Sequence, residues 1–164
     1  MAKSRRQIHR AVPRVLRSMI IPQARYHRIL SSMPLLCVDG VIRNSSNQVL
    51  LVKRSNEPLK NHWWVPGGRV HKGETLEYAF RRKMREELGI KVGHVHRLGF
   101  YEAVNLRHVG IKPNGGCLHS VSIVFQACVD VTEVVLDAQS SDWGYFDDLP
   151  TRFKIQPFES DEPT

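Results

Sequence analysis

Two glycines and two adjacent carboxylates, joined by a helical stretch, are the residues of this sequence best suited to phosphate chemistry. They lie in GGRVHKGETLEYAFRRKMREELGI, which covers residues 67–90. A backbone without a Cβ atom lets a ligand approach closely, as at Gly67 and Gly68. Glu86 and Glu87 supply oxygen atoms, which are the ligands that Mg²⁺ prefers. The stretch therefore suits a diphosphate that is bound through a divalent metal ion.

The apolar residues of this stretch have the spacing of a helix. They recur at three- and four-residue steps and form one face, which consists of Leu76, Ala79, Phe80, Met84 and Leu88. Gly89 is well placed to end the helix in a left-handed turn. Lys83 lies one turn before Glu87, which is the spacing of an i, i+4 ion pair. We therefore expect a helix that packs by its apolar face and carries its charged residues elsewhere.

The same stretch resembles the Nudix box, the signature of hydrolases that act on a nucleoside diphosphate linked to another moiety. The family pattern is Gly, five residues, Glu, seven residues, Arg-Glu, an aliphatic residue, any residue, Glu-Glu, any residue, Gly and an aliphatic residue. The matching positions are Gly68, Glu74, Arg82, Met84, Glu86, Glu87, Gly89 and Ile90. The departure is Lys83, which stands where the family has a Glu. A protonated Lys cannot ligate a cation, so this site is expected to hold fewer metal ions.

The GDP-mannose mannosyl hydrolases of this family also lack that Glu, and the resemblance to them extends beyond the box. It includes PLLCVDGVIRNSSNQVLLVKRSNEP, NHWWVPGGRV and LDAQSSDWGYF, and spans most of residues 26–149. The resemblance implies an α/β (α+β) Nudix fold, a mixed β-sheet sandwiched between helices. It also implies divalent-metal-dependent hydrolysis of a nucleoside diphosphate sugar resembling GDP-mannose, with release of sugar and nucleoside diphosphate. The alternatives are a pyrophosphatase that cleaves ADP-ribose or another nucleoside diphosphate derivative, and a catalytically weak nucleotide sensor.

The resemblance also implies a metal site for Mg²⁺ or Mn²⁺. Its ligands would be the Gly67 carbonyl, Glu87 and Gln139, with Glu86 as a further candidate. Glu86 matches a position that most Nudix enzymes use and the mannosyl hydrolases have lost; its alternative role is an outward ion pair with Arg82. The alternative for Gln139 is a solvated loop amide.

Two arginines and an aspartate match positions that contact the nucleotide in the mannosyl hydrolases. Arg54 and Arg69 flank the glycine loop, and guanidinium groups neutralise a diphosphate leaving group well. Asp39 is the third substrate-binding candidate and would orient Arg54 or the substrate. In contrast, Glu74 and Arg82 are expected to brace the loop rather than to act in catalysis.

The general base of the mannosyl hydrolases has no counterpart here. Those enzymes have a His directly after the ligand Gln, and this chain has Ser140 there. A hydroxyl near its ordinary pKa cannot take a proton at neutral pH. His119 and Glu86 are therefore the candidate bases, although His119 has an alternative as a plain strand residue. With Arg54, they make up the predicted catalytic residues.

The remaining sequence predicts strands and loops that position these residues. A polar turn at 44–47 is expected to join the first two strands as a hairpin. A loop at 105–116 is suited to cover the site. The predicted strands are Leu35–Arg43, Val49–Arg54, Val92–Val104, Leu118–Val131 and Asp142–Phe146.

The net charge of +8 belongs to the N-terminal segment. Residues 1–32 hold eight Lys or Arg and no acid, whereas the rest holds 16 basic and 16 acidic residues. We therefore divide the chain into a basic extension at 1–22, a Nudix hydrolase domain at 23–150 and a mobile C-terminal tail at 151–164. Because residues 33–164 are neutral by count, a nucleic-acid partner is not expected.

Cysteine usage and hydropathy indicate a cytoplasmic protein. The three cysteines form no CxxC pair, and arginines interrupt every candidate signal-peptide core. No apolar run approaches the roughly 18 residues of a membrane span, so we expect no membrane partner. The expected partners are the nucleotide sugar and a second copy of the chain in a homodimer.

Overall fold

The structure, a computed structural model, describes residues 22–57, 59–104 and 119–158. Most of the predicted N-terminal extension and the predicted loop at 105–116 lie outside the described residues. Within these ranges, no helix is long and apolar enough to cross a membrane. The elements are α1 (Gln23–Ser32), β1 (Leu35–Arg43), β2 (Val49–Arg54), β3 (Trp63–Trp64), β4 (Gly67–Arg69), α2 (Leu76–Leu88), β5 (His96–Ala103), β6 (Ser120–Cys128), β7 (Ser140–Phe146) and β8 (Gln156–Pro157).

The strands form one mixed sheet with β1 near its centre. The strand order is β3-β2-β1-β6-β5-β8, with β4 paired to β1 and β7 paired to β2. Strands β1 and β6 are parallel along their whole length, whereas the other pairs are antiparallel. The polar turn predicted at 44–47 joins β1 to β2. This mixed sheet with few helices confirms the predicted fold class.

Helix α2 packs on one face of the sheet through the apolar face that its sequence predicts. Ala79, Phe80, Met84 and Leu88 are fully buried. The Phe80 ring stacks on Phe125 of β6, with ring centroids 5.0 Å apart. Gly89 has a φ of 71°, a left-handed conformation that ends the helix as predicted.

The N-terminus of α2 is fixed by a side-chain cap. The Thr75 hydroxyl accepts a hydrogen bond from the Tyr78 N–H at 3.2 Å, which satisfies one of the free amides of the first turn. The first turn also carries Glu77, whose negative charge is favourable beside the positive end of the helix dipole. The cap therefore sets where the helix leaves the glycine loop.

The opposite face of the sheet is covered by loop and C-terminal residues. Leu59, Trp64, Val65 and Phe153 are buried there. Phe153 and the short strand β8, which pairs with β5, belong to the segment predicted as a mobile tail. The structure thus places the first part of that segment within the fold, while the division of the chain at 22 and 150 stays a prediction.

The strand that follows α2 begins later than predicted. Strand β5 starts at His96, whereas the sequence favoured a strand from Val92. Val92 is buried in the core beside α2, and its carbonyl accepts a hydrogen bond from Arg81. This contact ties the Val92 backbone to α2, and residues 91–95 form the connection before β5.

Phe80→Ala should lower the free energy of unfolding by about 3–5 kcal/mol, because it leaves a cavity beneath the sheet. Tyr78→Ala is the matched control on the same helix, since Tyr78 is 58% exposed. Its effect should remain within about 0.5 kcal/mol. Urea unfolding followed by circular dichroism measures both values. Equal losses in the two variants would contradict the packing described for α2.

Candidate active site

Strand β4 brings the glycine loop into contact with both β1 and α2. The Gly67 N–H donates a hydrogen bond to Glu87 Oε2 at 3.0 Å. Gly67 also pairs with Asp39 across β1 and β4. A Cβ atom on Gly67 would overlap Asp39 Oδ1 and the Val38 carbonyl oxygen. This position therefore requires glycine, and its backbone lies between two carboxylates.

Glu87 is buried in an ion pair with Lys83. Lys83 Nζ lies 2.6 Å from Glu87 Oε1, and the two side chains are only 9% and 8% exposed. This contact confirms the i, i+4 pair that the spacing indicates. Burial raises the pKa of Glu87, and the charge and hydrogen bond of Lys83 oppose that shift without cancelling it.

Arg82 braces the glycine loop against the helix, as predicted. Its guanidinium donates to both oxygens of Glu74, at 2.6 and 2.8 Å, and to the Arg69 carbonyl at 3.0 Å. It also donates to Glu86 Oε2 at 2.9 Å. The shorter of the described contacts of Glu86 is therefore the Arg82 ion pair weighed in the sequence analysis, and the role of Glu86 as ligand or base stays a prediction.

Asp39 lies on β1 in a buried polar cluster. Side chains alternate between the two faces along a strand. Val38 belongs to the core cluster beside α2 and Val41 to the cluster on the other face, so Asp39 points away from α2. Burial raises the pKa of Asp39 to about 7. A hydrogen bond with Ser122 and the positive charge of Arg54 oppose that shift, and the negative charge of Glu87 adds to it. Asp39 therefore shares the electrostatic environment of Glu87 and Arg54.

The segment before β7 carries Gln139 to the end of α2. The Gln139 carbonyl accepts a hydrogen bond from the Ser55 N–H at 2.7 Å, and the Asp137 N–H donates to the Glu87 carbonyl at 3.4 Å. The Gln139 amide donates to Asp137 Oδ2 at 2.9 Å. The negative charge of Asp137 also raises the pKa of Glu87. Sequence reasoning missed Asp137, although an acid two residues before the candidate ligand was a usable signal.

The two arginines predicted to bind substrate lie on different strands. Arg54 ends β2 opposite Ser140, and its charge acts on Asp39. Arg69 ends β4, and its guanidinium stacks over the Tyr26 ring of α1 at 4.4 Å from the centroid. This cation–π contact, which the sequence did not indicate, ties α1 to the glycine strand.

His119 lies apart from this group. Its Nε2 is 3.1 Å from Glu102 Oε1, across β5 and β6. It directly precedes β6, where Ser120 pairs with Leu35. Leu35 lies four residues from Asp39, or about 13 Å along a strand. The structure thus brings Asp39, Arg54, Gly67, Glu87 and Gln139 together and pairs His119 with Glu102.

The oxygen donors at this site fit a divalent ion by type. Carboxylates of Glu86 and Glu87, the Gln139 amide oxygen and the Gly67 carbonyl are hard ligands of the kind that Mg²⁺ and Mn²⁺ take. Within residues 22–57, 59–104 and 119–158, however, no three His, Cys, Asp or Glu side chains are grouped so that they could hold a metal ion. An ion bound at Glu87 would also meet the Lys83 ammonium.

Comparison with known proteins gives a consistent result. The NUDIX domain model matches residues 33–159. The low-salt glycan biosynthesis protein Agl8 of Haloferax volcanii is 36% identical over 131 residues, which cover 77% of this chain and 80% of that protein. The ADP-ribose pyrophosphatase of Methanocaldococcus jannaschii is 39% identical over 92 residues, which cover 56% of this chain and 49% of that protein.

Two solved structures share the fold. The MutT NUDIX hydrolase of Burkholderia pseudomallei is 29% identical with a TM-score of 0.60, and the match covers 75% of this chain and 92% of that one. The NUDIX domain of Shewanella oneidensis NrtR, solved as a complex with ADP ribose, is 26% identical with a TM-score of 0.56. That match covers 77% of this chain and 83% of that one.

Arg82→Met should destabilise the protein by about 1–3 kcal/mol, because it removes the charged hydrogen-bond donor of the half-buried Glu74. Arg85→Met is the matched control, since Arg85 is exposed on the same helix. Urea unfolding at pH 7 measures both. A loss from Arg82→Met no larger than the control's would contradict the bracing role.

The same pair should make stability depend on pH. Burial raises the pKa of Glu74, but hydrogen bonds from Arg82 and the His71 N–H outweigh that effect and hold it below its usual range. A lowered carboxyl pKa stabilises the fold above the usual Glu pKa of about 4.3, and the stabilisation is lost as the pH falls below it. The difference between wild type and Arg82→Met should therefore shrink below about pH 4.

Proposed function

The chain belongs to the Nudix family, and from that premise we propose that it hydrolyses a nucleoside diphosphate sugar of the GDP-mannose kind. The products would be the free sugar and a nucleoside diphosphate. The observation that carries the proposal is the convergence of Asp39, Gly67 and Glu87 on one strand junction beside Arg54. The relative Agl8, named for glycan biosynthesis, supports a substrate from nucleotide-sugar metabolism.

The proposed binding mode follows from the charges around the glycine strand. Arg54 and Arg69 would bind the diphosphate oxygens, because guanidinium groups match such anions bidentately. The Arg69 guanidinium stacks over the Tyr26 ring, and this contact orients the Arg69 side chain before substrate binds. Arg82 fixes the loop by donating hydrogen bonds to Glu74 and to the Arg69 carbonyl.

Nudix hydrolases generally use divalent metal ions. We propose Glu87, the Gly67 carbonyl and Gln139 as the residues that hold Mg²⁺ or Mn²⁺, with Glu86 as a further candidate. When bound, the ion would neutralise charge on the diphosphate and favour its departure. Because Ser140 cannot take a proton at neutral pH, the proposed base is Glu86, and His119, which lies apart from Glu87, is the alternative.

A pyrophosphatase acting on ADP-ribose or a related compound is the second candidate. A relative 39% identical to this chain is named for that activity, and the Shewanella oneidensis domain was solved with ADP ribose. The adjacent carboxylates Glu86 and Glu87 also favour attack on phosphorus, since most Nudix enzymes possess both. The two candidates differ in the bond that breaks.

Hydrolysis in ¹⁸O-labelled water identifies that bond. We expect a panel of nucleoside diphosphate sugars and ADP-ribose, each incubated with Mg²⁺ or Mn²⁺, to yield label in the free sugar and none in the nucleoside diphosphate. Label in a phosphate, with a nucleoside monophosphate as product, would establish the pyrophosphatase instead. No turnover of any member would favour a nucleotide sensor. Reactions without protein serve as the control.

Glu87→Gln should lower kcat by about 10²-fold, because it removes one full charge from the proposed ion site. The side chains are nearly isosteric, so the fold should persist, with some loss of stability where Lys83 loses its charged partner. Glu77→Gln is the matched control, since Glu77 is exposed on the same helix. Rates are measured below the melting temperature of each variant. Activity within a few-fold of wild type would contradict the proposed role of Glu87 as a metal ligand.

A further inference from the structure

Lys83 occupies the interior of the site rather than its surface. Its ammonium is 2.6 Å from Glu87 Oε1 and 3.9 Å from Glu86 Oε2. The end of its side chain lies against β4, where a Cβ on Gly68 would be 2.9 Å from Lys83 Cε and 3.3 Å from Nζ. The residue that replaces the Glu of the Nudix box is thus packed between helix α2 and the glycine strand.

The two oxygens of Glu87 are held by two different groups. Oε1 accepts from the Lys83 ammonium, and Oε2 accepts from the Gly67 N–H at 3.0 Å. The Glu87 carboxylate therefore links the helix to the glycine strand through protein groups alone. A buried carboxylate needs such a partner, because a buried charge without one is strongly destabilising.

The charge of Lys83 also extends beyond Glu87. It acts on Asp39, where it lowers a pKa that burial raises. Asp39 and Glu87 reach the Gly67 backbone from the two faces of the sheet. Lys83 therefore compensates Glu87 by direct contact, and together with Arg54 it acts on Asp39. Elsewhere in proteins, a bound cation can fill this role.

We propose that Lys83 is a built-in counter-cation, which holds the Glu87–Gly67 contact in the metal-free protein and competes with a divalent ion for Glu87. This inference rests on the proposed metal-assisted function and concerns the regulation of the same site. It follows that the site assembles without the divalent ion. It also follows that the ion binds more weakly than it would without the ammonium.

The test compares Mn²⁺ affinity in wild type, Lys83→Met and Lys83→Glu, measured as free Mn²⁺ by electron paramagnetic resonance. Removing a group that competes for a ligand should strengthen binding by about 10- to 100-fold, the usual scale of effects from groups around a metal site. Lys83→Glu should show the larger gain, because it adds a carboxylate. Lys91→Met and Lys91→Glu are the matched controls, since Lys91 is exposed and follows the same helix.

Thermal unfolding in EDTA provides the second readout. Both Lys83 variants should melt below wild type, because Glu87 loses its partner, and saturating Mn²⁺ should raise their melting temperatures more than that of wild type. The Lys91 variants should follow wild type in both conditions. If Lys83→Glu fails to fold, Lys83→Met alone decides the outcome.

Two results would overturn the proposal. One is an Mn²⁺ affinity of Lys83→Met within about threefold of wild type, and the other is no measurable Mn²⁺ binding in any variant. Mn²⁺ binding to Lys83→Met or Lys83→Glu but not to wild type would support it. Failure of the proposed function would instead appear as absent hydrolysis of the nucleotide panel by wild type at saturating Mn²⁺, and it leaves the affinity comparison intact.

Discussion

The hydrogen bond from the Gly67 amide to Glu87 is the contact on which the geometry of the site depends. It joins the glycine strand to the end of a helix whose apolar face is fixed under the sheet, so the packing of that face sets the dimensions of the site. Arg82 repeats the connection five residues earlier on the helix, through Glu74 and the Arg69 carbonyl. Two separate contacts therefore hold the loop that we propose binds the diphosphate.

Charge balance is the second constraint on this region. Glu87 and Asp39 are buried and Asp137 lies close to Glu87, while Lys83 and Arg54 provide the nearby positive charges. A Nudix box with Glu in place of Lys83 would add one more negative charge at the same point. The substitution thus changes the local electrostatics by two charges without changing the helix that carries it.

Much of the fold could be predicted because its long elements have clear periods. The apolar spacing of α2 and the β-branched runs of β1 and β2 gave their bounds almost to the residue. Strands β4 and β8 have three and two residues and show no period, so only their tertiary pairing defines them. In the site, residue types followed from the motif. The contacts of Ser122 with Asp39 and of Tyr26 with Arg69 could not be predicted, because each joins distant parts of the chain.

The parallel pairing of β1 with β6 has a consequence for how the protein folds. Leu35 pairs with Ser120, and this register places Ser122 beside Asp39. Contacts between residues so distant in sequence carry a large loop-closure entropy and form slowly relative to helices and hairpins. The β1–β2 hairpin and α2 can form early, whereas the Asp39 cluster must wait for β6. On a ribosome, the chain therefore acquires its binding chemistry only after most of it has been synthesised.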